Sequence, residues 1–221
     1  VIFSDESQIK TMPKEAFSRC TKLTTIVLPQ NLTVIDQHAF EYCAFEEIVL
    51  PMTLETIDDF AFMYSKLKKL EIPDSVENIG SYAFACTLNL VNVVGGGGIK
   101  SLGDYAFESS LWKDNEDNYE AGFLYLEKWL VSGKYAKGKV EIKAGITHIA
   151  AFAFFENKNI NKVYIGKEIE FIGYNAFYGC DNVNFLYFDA ISCADFLSSE
   201  FVFGKNTTGA TVVFGKDVKY I

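Results

Sequence analysis

The chain has 221 residues and, with 20 basic against 29 acidic side chains, a formal charge of −9. A hydrophobic share of 49% excludes a disordered chain, and the acidic balance argues against nucleic acid, whose phosphates need clustered Lys and Arg. No stretch approaches the roughly 18 to 20 apolar residues that a membrane helix needs, so no membrane insertion is expected.

The chain opens on Val1-Ile2-Phe3 without an initiator Met, a basic segment or an apolar signal core, so a piece of a longer protein is expected. From there an Ala-Phe mark recurs in phase, at Phe17, Phe40, Phe62, Phe84, Phe107, Phe154 and Phe177. The spacings are 23, 22, 22, 23, 47 and 23 residues, so one copy between Phe107 and Phe154 has lost its mark. Between marks the pattern is apolar-x-x-apolar-x-apolar-Pro-x-x-apolar-x-x-apolar. Leu23, Ile26, Leu28, Pro29, Leu32 and Ile35 spell it first. Phe45 to Ile57 and Leu67 to Ile79 repeat it with Pro51 and Pro73, and Ile160 to Ile172 with Gly166 in the Pro slot. Apolar-x-apolar predicts a short strand with one buried face, ended by a Pro that cannot donate to a ladder. Apolar residues three apart predict a return across the far side. Ala-Phe supplies a small residue where coils come close and a ring to fill the interior. One such coil cannot bury its own face, so a stack is required.

The units "AFSRCTKLTTIVLPQNLTVIDQHAF" and "AFFENKNINKVYIGKEIEFIGYNAF" resemble the BspA-type leucine-rich repeats of bacterial surface proteins, over residues 9–188. The resemblance implies a mainly β, right-handed leucine-rich-repeat solenoid of about eight coils, with a parallel concave sheet and irregular or 3₁₀ segments near the marks. Residues 1–188 are expected to form it. Residues 111–139 read as an irregular insert with an extra hairpin, carrying turn signals at Ser132-Gly133 and Lys137-Gly138. Residues 189–221 read as a C-terminal cap of the same domain, and seven Phe between Phe171 and Phe214, outside the marks, set this end apart.

Chemistry-bearing residues have structural readings. Cys20, Cys43 and Cys180 lie three residues after a marked Phe, in a slot that elsewhere holds Ser65, Thr87, Ser110 and Asn157. That recurrence predicts side chains bonded to the coil's own backbone and free thiols. Cys86 is one residue off the slot and Cys193 falls in the cap. His38 and His148 sit at different phases, without a nucleophile at a catalytic spacing. Gly95 to Gly98 lack the Gly-Lys order of a phosphate loop and read as a strand exit, irregular or flexible. Asp114, Glu116, Asp117 and Glu120 have Tyr119 and Tyr125 where a calcium loop needs Gly and Glu, so they read as a solvated loop. No metal or cofactor is expected. Asn31-Leu32-Thr33 and Asn206-Thr207-Thr208 match the glycosylation sequon.

Side chains alternate along a strand, so the residues between the buried ones face outward from the concave sheet. These pairs are Thr25/Val27, Glu47/Val49, Lys69/Glu71, Asn92/Val94, Lys139/Glu141, Lys162/Tyr164 and Phe185/Tyr187. Tyr164, Phe185 and Tyr187 collect aromatics on two successive rungs and form the candidate binding site, with Lys162, Lys69, Glu71 and Glu47 as polar contacts; the competing reading has the cap fold over and bury them. The resemblance implies a non-enzymatic, secreted or cell-surface module that binds a protein or a surface polymer such as a glycan, in adhesion. Alternatives are an architectural spacer, or a hydrolase with its site on the insert, although no catalytic constellation stands there.

Overall fold

The computed structural model describes residues 1–3, 7–193 and 210–218. Most of the expected cap, the sequon at Asn206, and Phe196, Phe201 and Phe203 lie outside the described residues. Two compact units are present, Val1–Asn115 and Glu116–Ile221. Both are parallel β-solenoids with almost no helix.

In the first unit the strands are β1 (Thr11–Met12), β2 (Val34–Ile35), β3 (Thr56–Ile57), β4 (Lys69–Ile72), β5 (Asn78–Ile79), β6 (Asn92–Gly95) and β7 (Ser101–Leu102). A single-turn helix, α1 (Leu111–Asp114), follows, with Ser110 as its N-cap. The two-residue strands pair in parallel in the order β1-β2-β3-β5-β7, and β4 pairs in parallel with β6. The return path is therefore itself a narrow sheet, built from the apolar-x-x-apolar segment. In β4 the exposed-buried alternation places Leu70 and Ile72 inside and Lys69 and Glu71 outside.

In the second unit a 3₁₀ turn (Glu116–Asn118) precedes β8 (Leu124–Leu126), β9 (Trp129–Ser132), β10 (Gly138–Glu141), β11 (His148–Ile149), β12 (Ile160–Ile165), β13 (Phe171–Ile172), β14 (Phe185–Phe188) and β15 (Thr211–Phe214). The long strands stack in parallel as β10-β12-β14-β15 and the short ones as β13-β11-β9, with β8 antiparallel to β9. That hairpin turns at Glu127, which has φ 49°, rather than at the two sequence turn signals. The unmarked copy has Gly133 at the ring slot. Its N–H donates to Ala153 O at 2.6 Å, and a Cβ there would stand 2.0 Å from the Phe154 ring.

The marked segments share one conformation. Residues two before and two after each marked Phe have positive φ, for example His38 and Tyr42 around Phe40, and Phe60 and Tyr64 around Phe62. Alternation of left- and right-handed residues turns N–H and C=O groups along the stacking direction. Phe17, Phe40, Phe62, Phe84 and Phe154 thus donate to Ala39, Ala61, Ala83, Ala106 and Ala176 of the next coil at 2.7–2.8 Å. A left-handed residue costs about 1 kcal/mol and a hydrogen bond contributes about 1 kcal/mol net, so each bond offsets one strained residue. The rings stack as well: the Phe17–Phe40, Phe40–Phe62, Phe62–Phe84 and Phe84–Phe107 centroids are 5.2–5.6 Å apart. Phe154 and Phe177 are 4.6 Å apart.

The Gly95–Gly98 run is the strand exit expected, and it is closely packed. A Cβ on Gly95, at φ +80°, would meet Ile72 O at 2.3 Å, and one on Gly98 would meet Asp74 O at 1.9 Å. The backbone of the neighbouring coil fills the space a side chain would take.

Urea denaturation of Phe62→Ala is expected to show a loss of about 3–5 kcal/mol. Gly98→Ala should lose about 1–3 kcal/mol, since backbone must move. Phe155→Ala, at the surface, should lose less than about 1 kcal/mol.

Candidate functional site

The outward rows of the long strands carry the candidate residues. In the second unit, Lys139 lies beside Lys162 and Phe185, and Glu141 beside Tyr164 and Tyr187, on consecutive rungs. Tyr164, Phe185 and Tyr187 are half-buried. Ring centroids of Tyr164 and Phe185 are 5.5 Å apart, those of Tyr164 and Tyr187 6.0 Å, with interplanar angles of 38° and 37°. The Lys139 ammonium sits 4.5 Å from the Tyr164 ring centre and 2.6 Å from a Glu141 carboxylate oxygen. That carboxylate raises the Lys139 pKa. Thr211 and Val213 continue the two rows, so the described part of the cap extends the sheet sideways and does not fold over the rings. The structure thus brings Lys162, Tyr164, Phe185 and Tyr187 together as one amphipathic patch.

Lys69, Glu71 and Glu47 belong to the first unit. There the cross-coil ladder is incomplete. The Lys68 N–H donates to Glu46 O at 2.9 Å, but no backbone bond joins Glu47–Leu50 to β4 among the described residues. Beside this gap lies a groove of about 460 Å³, lined by Ile48 to Met52, Glu71 to Asp74, Gln30, Val94 and Gly95. Val49 is 82% exposed, Met52 74% and Val94 46%. The charges lining the groove are Glu71 and Asp74, while nearby Lys68 pairs with Glu46 at 2.6 Å. The groove is therefore apolar with an acidic wall. Met52 is absent from the outward pairs predicted from sequence. Its signal is an apolar residue in the slot after the Pro, where Gln30 and Asp74 stand in neighbouring coils.

A second feature escapes the alternation rule. At the marked segments His38, Phe60, Tyr82 and Tyr105 stack in a column, with centroids 4.8, 5.2 and 5.2 Å apart. Beside it Arg19 lies over Tyr42, which stacks on Tyr64 at 4.6 Å. The recurrent aromatic-Ala-Phe triplet is the sequence signal for the first column. Most ring faces are taken by neighbours, so the column ties coils together and leaves mainly edges for a ligand.

The recurrent polar slot follows its pattern in part. Thr87 and Ser110 bond their own coil, whereas Cys43, Cys180 and Asn157 reach back to the preceding one. The buried Ser65 hydroxyl finds no partner among the described residues. Thr87 and Ser110 donate to Phe84 O and Phe107 O at 2.7 Å, while Cys43 and Cys180 donate to Phe17 O and Phe154 O of the preceding coil at 3.2 and 3.0 Å. Asn157 donates to Gly133 O and Ala136 O. Burial pushes the Cys43 and Cys180 thiols up to about 12. Both therefore stay largely protonated at neutral pH, which slows their reactions.

His38 Nδ1 lies 3.1 Å from Glu41 Oε2, and Ser18 Oγ donates to the same oxygen at 3.4 Å. The carboxylate stands between serine and histidine, so the imidazole cannot take the hydroxyl proton as a triad requires. His148 is held between Trp129 and Phe171, with Thr147 Oγ1 2.6 Å from Nδ1. In the acidic stretch Glu120 pairs with Lys143 at 2.7 Å. No cluster of three His, Cys, Asp or Glu side chains suited to a metal ion occurs among the described residues. No helix among them is long and apolar enough to cross a membrane.

The BspA type leucine rich repeat region is matched in six copies, over residues 2–112 and 132–221. Among solved structures, a leucine-rich repeat protein from Bacteroides ovatus is 21% identical with a TM-score of 0.51, the match covering 99% of this chain and 61% of that one. The T. pallidum leucine rich repeat protein is also 21% identical at a TM-score of 0.51, covering 83% of this chain and 77% of that one. At this identity the likeness shows the fold. The chain spans about three fifths of the Bacteroides ovatus protein. No curated protein matches in sequence.

The His148 environment makes stability pH-dependent. Burial, and secondarily the Lys128 charge, lower its pKa below 6.5, against a smaller opposite effect of Glu170. The folded state thus favours neutral imidazole. This contribution is complete above the unfolded value near 6.5 and is lost as pH falls towards the folded one. The Tm of the protein should drop between about pH 7.5 and 5.5, and His148→Gln should reduce that drop.

Proposed function

The chain belongs to the BspA-type leucine-rich repeat family, and from that premise we propose that it is a non-enzymatic binding module of a secreted or cell-surface protein, acting in adhesion. Its ligand is a protein or a surface polymer such as a glycan. The observation that carries the reading is the alignment of Tyr164, Phe185 and Tyr187 on adjoining rungs, flanked by Lys162 and by the Lys139–Glu141 pair. Aromatic rings held on a rigid sheet lose little conformational entropy on contact, and Tyr is enriched where binding energy concentrates. Their hydroxyls and the neighbouring ammonium groups supply directional hydrogen bonds that a purely structural aromatic cluster would not need.

The groove of the first unit adds a second contact surface. Its exposed Val49, Met52 and Val94 suit apolar side chains, and Glu71 with Asp74 favours a partner segment carrying Lys or Arg. Lys69 and Glu47 border that surface on the adjacent outward row.

The test is attachment of beads coated with the chain to a panel of immobilised matrix proteins and polysaccharides. A Tyr164→Ala, Tyr187→Ala double variant should lose at least roughly tenfold in attachment, with the Tm within about 3 °C of the parent. Glu71→Lys should weaken attachment to basic ligands selectively. Attachment to no ligand at all, or attachment indifferent to all three substitutions, would leave an architectural spacer as the function.

A further inference from the structure

Cys20 and Cys43 occupy the same slot in consecutive coils, each three residues after the marked Phe. The Cys43 Sγ reaches back to the first coil, where it donates to Phe17 O at 3.2 Å. The same oxygen accepts the Cys20 N–H at 3.1 Å. The two cysteines therefore converge on one carbonyl, and the Cys20 N–H also faces the Cys43 sulfur. The coils are locked around this point. Arg19 N–H donates to Glu41 O at 2.8 Å, and the Phe17 and Phe40 rings, three residues earlier, are 5.6 Å apart. Backbone bonds of 2.8 Å from Phe17 N–H to Ala39 O and from Arg19 N–H to Glu41 O hold the two coils as hydrogen-bonded neighbours just before the cysteines. Such neighbours lie roughly 4.8 Å apart, within the Cα window of about 4.4–6.8 Å for a disulfide.

We propose that Cys20 and Cys43 are a covalent modification site, forming a disulfide that staples the first coil to the second. The other cysteines show why the pair is special. Cys180 fills the same slot, with its sulfur on Phe154 O at 3.0 Å, but the preceding coil offers Asn157 there. Cys86 lies one residue out of the slot and hydrogen-bonds Tyr64. The first coil also gains most from a staple. Phe17 is half-buried, whereas Phe40, Phe62 and Phe84 are fully buried, and the least buried coil of a stack opens most easily.

The chemistry needs a disulfide oxidant, for which glutathione disulfide serves. Cys20, half-buried and so the accessible thiol, attacks as thiolate; the glutathione S–S bond breaks and one glutathione leaves. The Cys43 sulfur then attacks the Cys20 sulfur and displaces the second. Two electrons pass to glutathione disulfide, and both cysteine protons end on the two glutathione thiols. Because burial holds the Cys43 thiol near 12, closure is the slow step and accelerates about tenfold per pH unit through the neutral range.

The whole chain, equilibrated with glutathione disulfide, is quenched in acidic denaturant, alkylated with N-ethylmaleimide and mapped by peptide mass spectrometry. The expected product takes up three maleimides, against five for the reduced chain, and yields a linked Cys20–Cys43 peptide. Its Tm rises by roughly 5 °C and falls back on adding dithiothreitol. Cys180→Ser should form the same linkage, while Cys20→Ser should leave Cys43 as a free thiol. Should a variant fail to fold, the peptide map of the unaltered chain decides by itself. Five alkylated thiols, glutathione retained on Cys20 without closure, or linkage through any other cysteine would overturn the proposal.

Discussion

The N–H of a marked Phe, donated at Phe17, Phe40, Phe62, Phe84 and Phe154 to the Ala carbonyl one coil further on, is the contact on which the rest of the fold depends. It fixes the coil spacing at the point where the largest side chain enters the interior. The ring must then stack on its equivalent 5.2–5.6 Å away in the first unit, and the residue before it must be small. Ala39, Ala61, Ala83, Ala106, Ala153 and Ala176 are all buried in that role. A larger side chain there would force the coils apart and break the hydrogen bond and the ring contact together. The 22–23 residue period follows, because any change in coil length would move the next Phe out of register with its acceptor.

That contact also explains otherwise improbable local choices. Phe60, Tyr82, Tyr105 and Phe152 sit at positive φ, a region bulky residues avoid. They are tolerated because left-handed residues at these places turn the peptide groups toward the neighbouring coil, and because the strained residue's own ring meets its neighbour's, face to face among Phe60, Tyr82 and Tyr105 and edge-on between Phe152 and Tyr174. The stabilisation belongs to the stack rather than to the coil. An isolated repeat would bear the strain without the bond, which is why such coils are not expected to fold singly.

Much of this was legible in the sequence, because a repeat shows each environment several times. The Ala-Phe marks, the Pro at the strand exit and the polar slot three residues after Phe each recur in phase; the marks fill the interior as their recurrence implies, while the slot bonds its own coil only at Thr87 and Ser110. What escaped has a common cause. The column of His38, Phe60, Tyr82 and Tyr105 lies where single-residue preferences forbid rings, so only the contact between coils justifies it. Gly95–Gly98 reads as a loose strand exit because glycine is permissive, whereas at Gly95 and Gly98 backbone of the neighbouring coil takes up the side-chain space. The break in the ladder at Glu47–Leu50 leaves no mark, since Phe45, Ile48 and Leu50 keep the apolar pattern intact and are buried or nearly so. Of the candidate site, strand alternation placed Lys162, Tyr164, Phe185 and Tyr187 on one surface. It could not show that Glu71 lines a groove with Met52.

A structure so constrained inside has its freedom outside. Residues that point into a coil serve register and are nearly interchangeable from copy to copy. Residues that point out of the long strands serve none of the stacking contacts, and they vary from Thr25 and Val27 to Phe185 and Tyr187. Variation alone does not make a ligand site, because unconstrained positions drift. Aromatic side chains are different: an exposed Tyr row on a sheet exposes apolar area to water at every rung, a liability for a soluble surface. Stacking between rungs relieves part of that cost, as it does for the columns at the marked segments, where ring covers ring almost face to face. The Tyr164, Phe185 and Tyr187 rings instead lie tilted by 37–38° and keep part of each ring turned to solvent. That incomplete cover is the feature on which the proposed binding role rests.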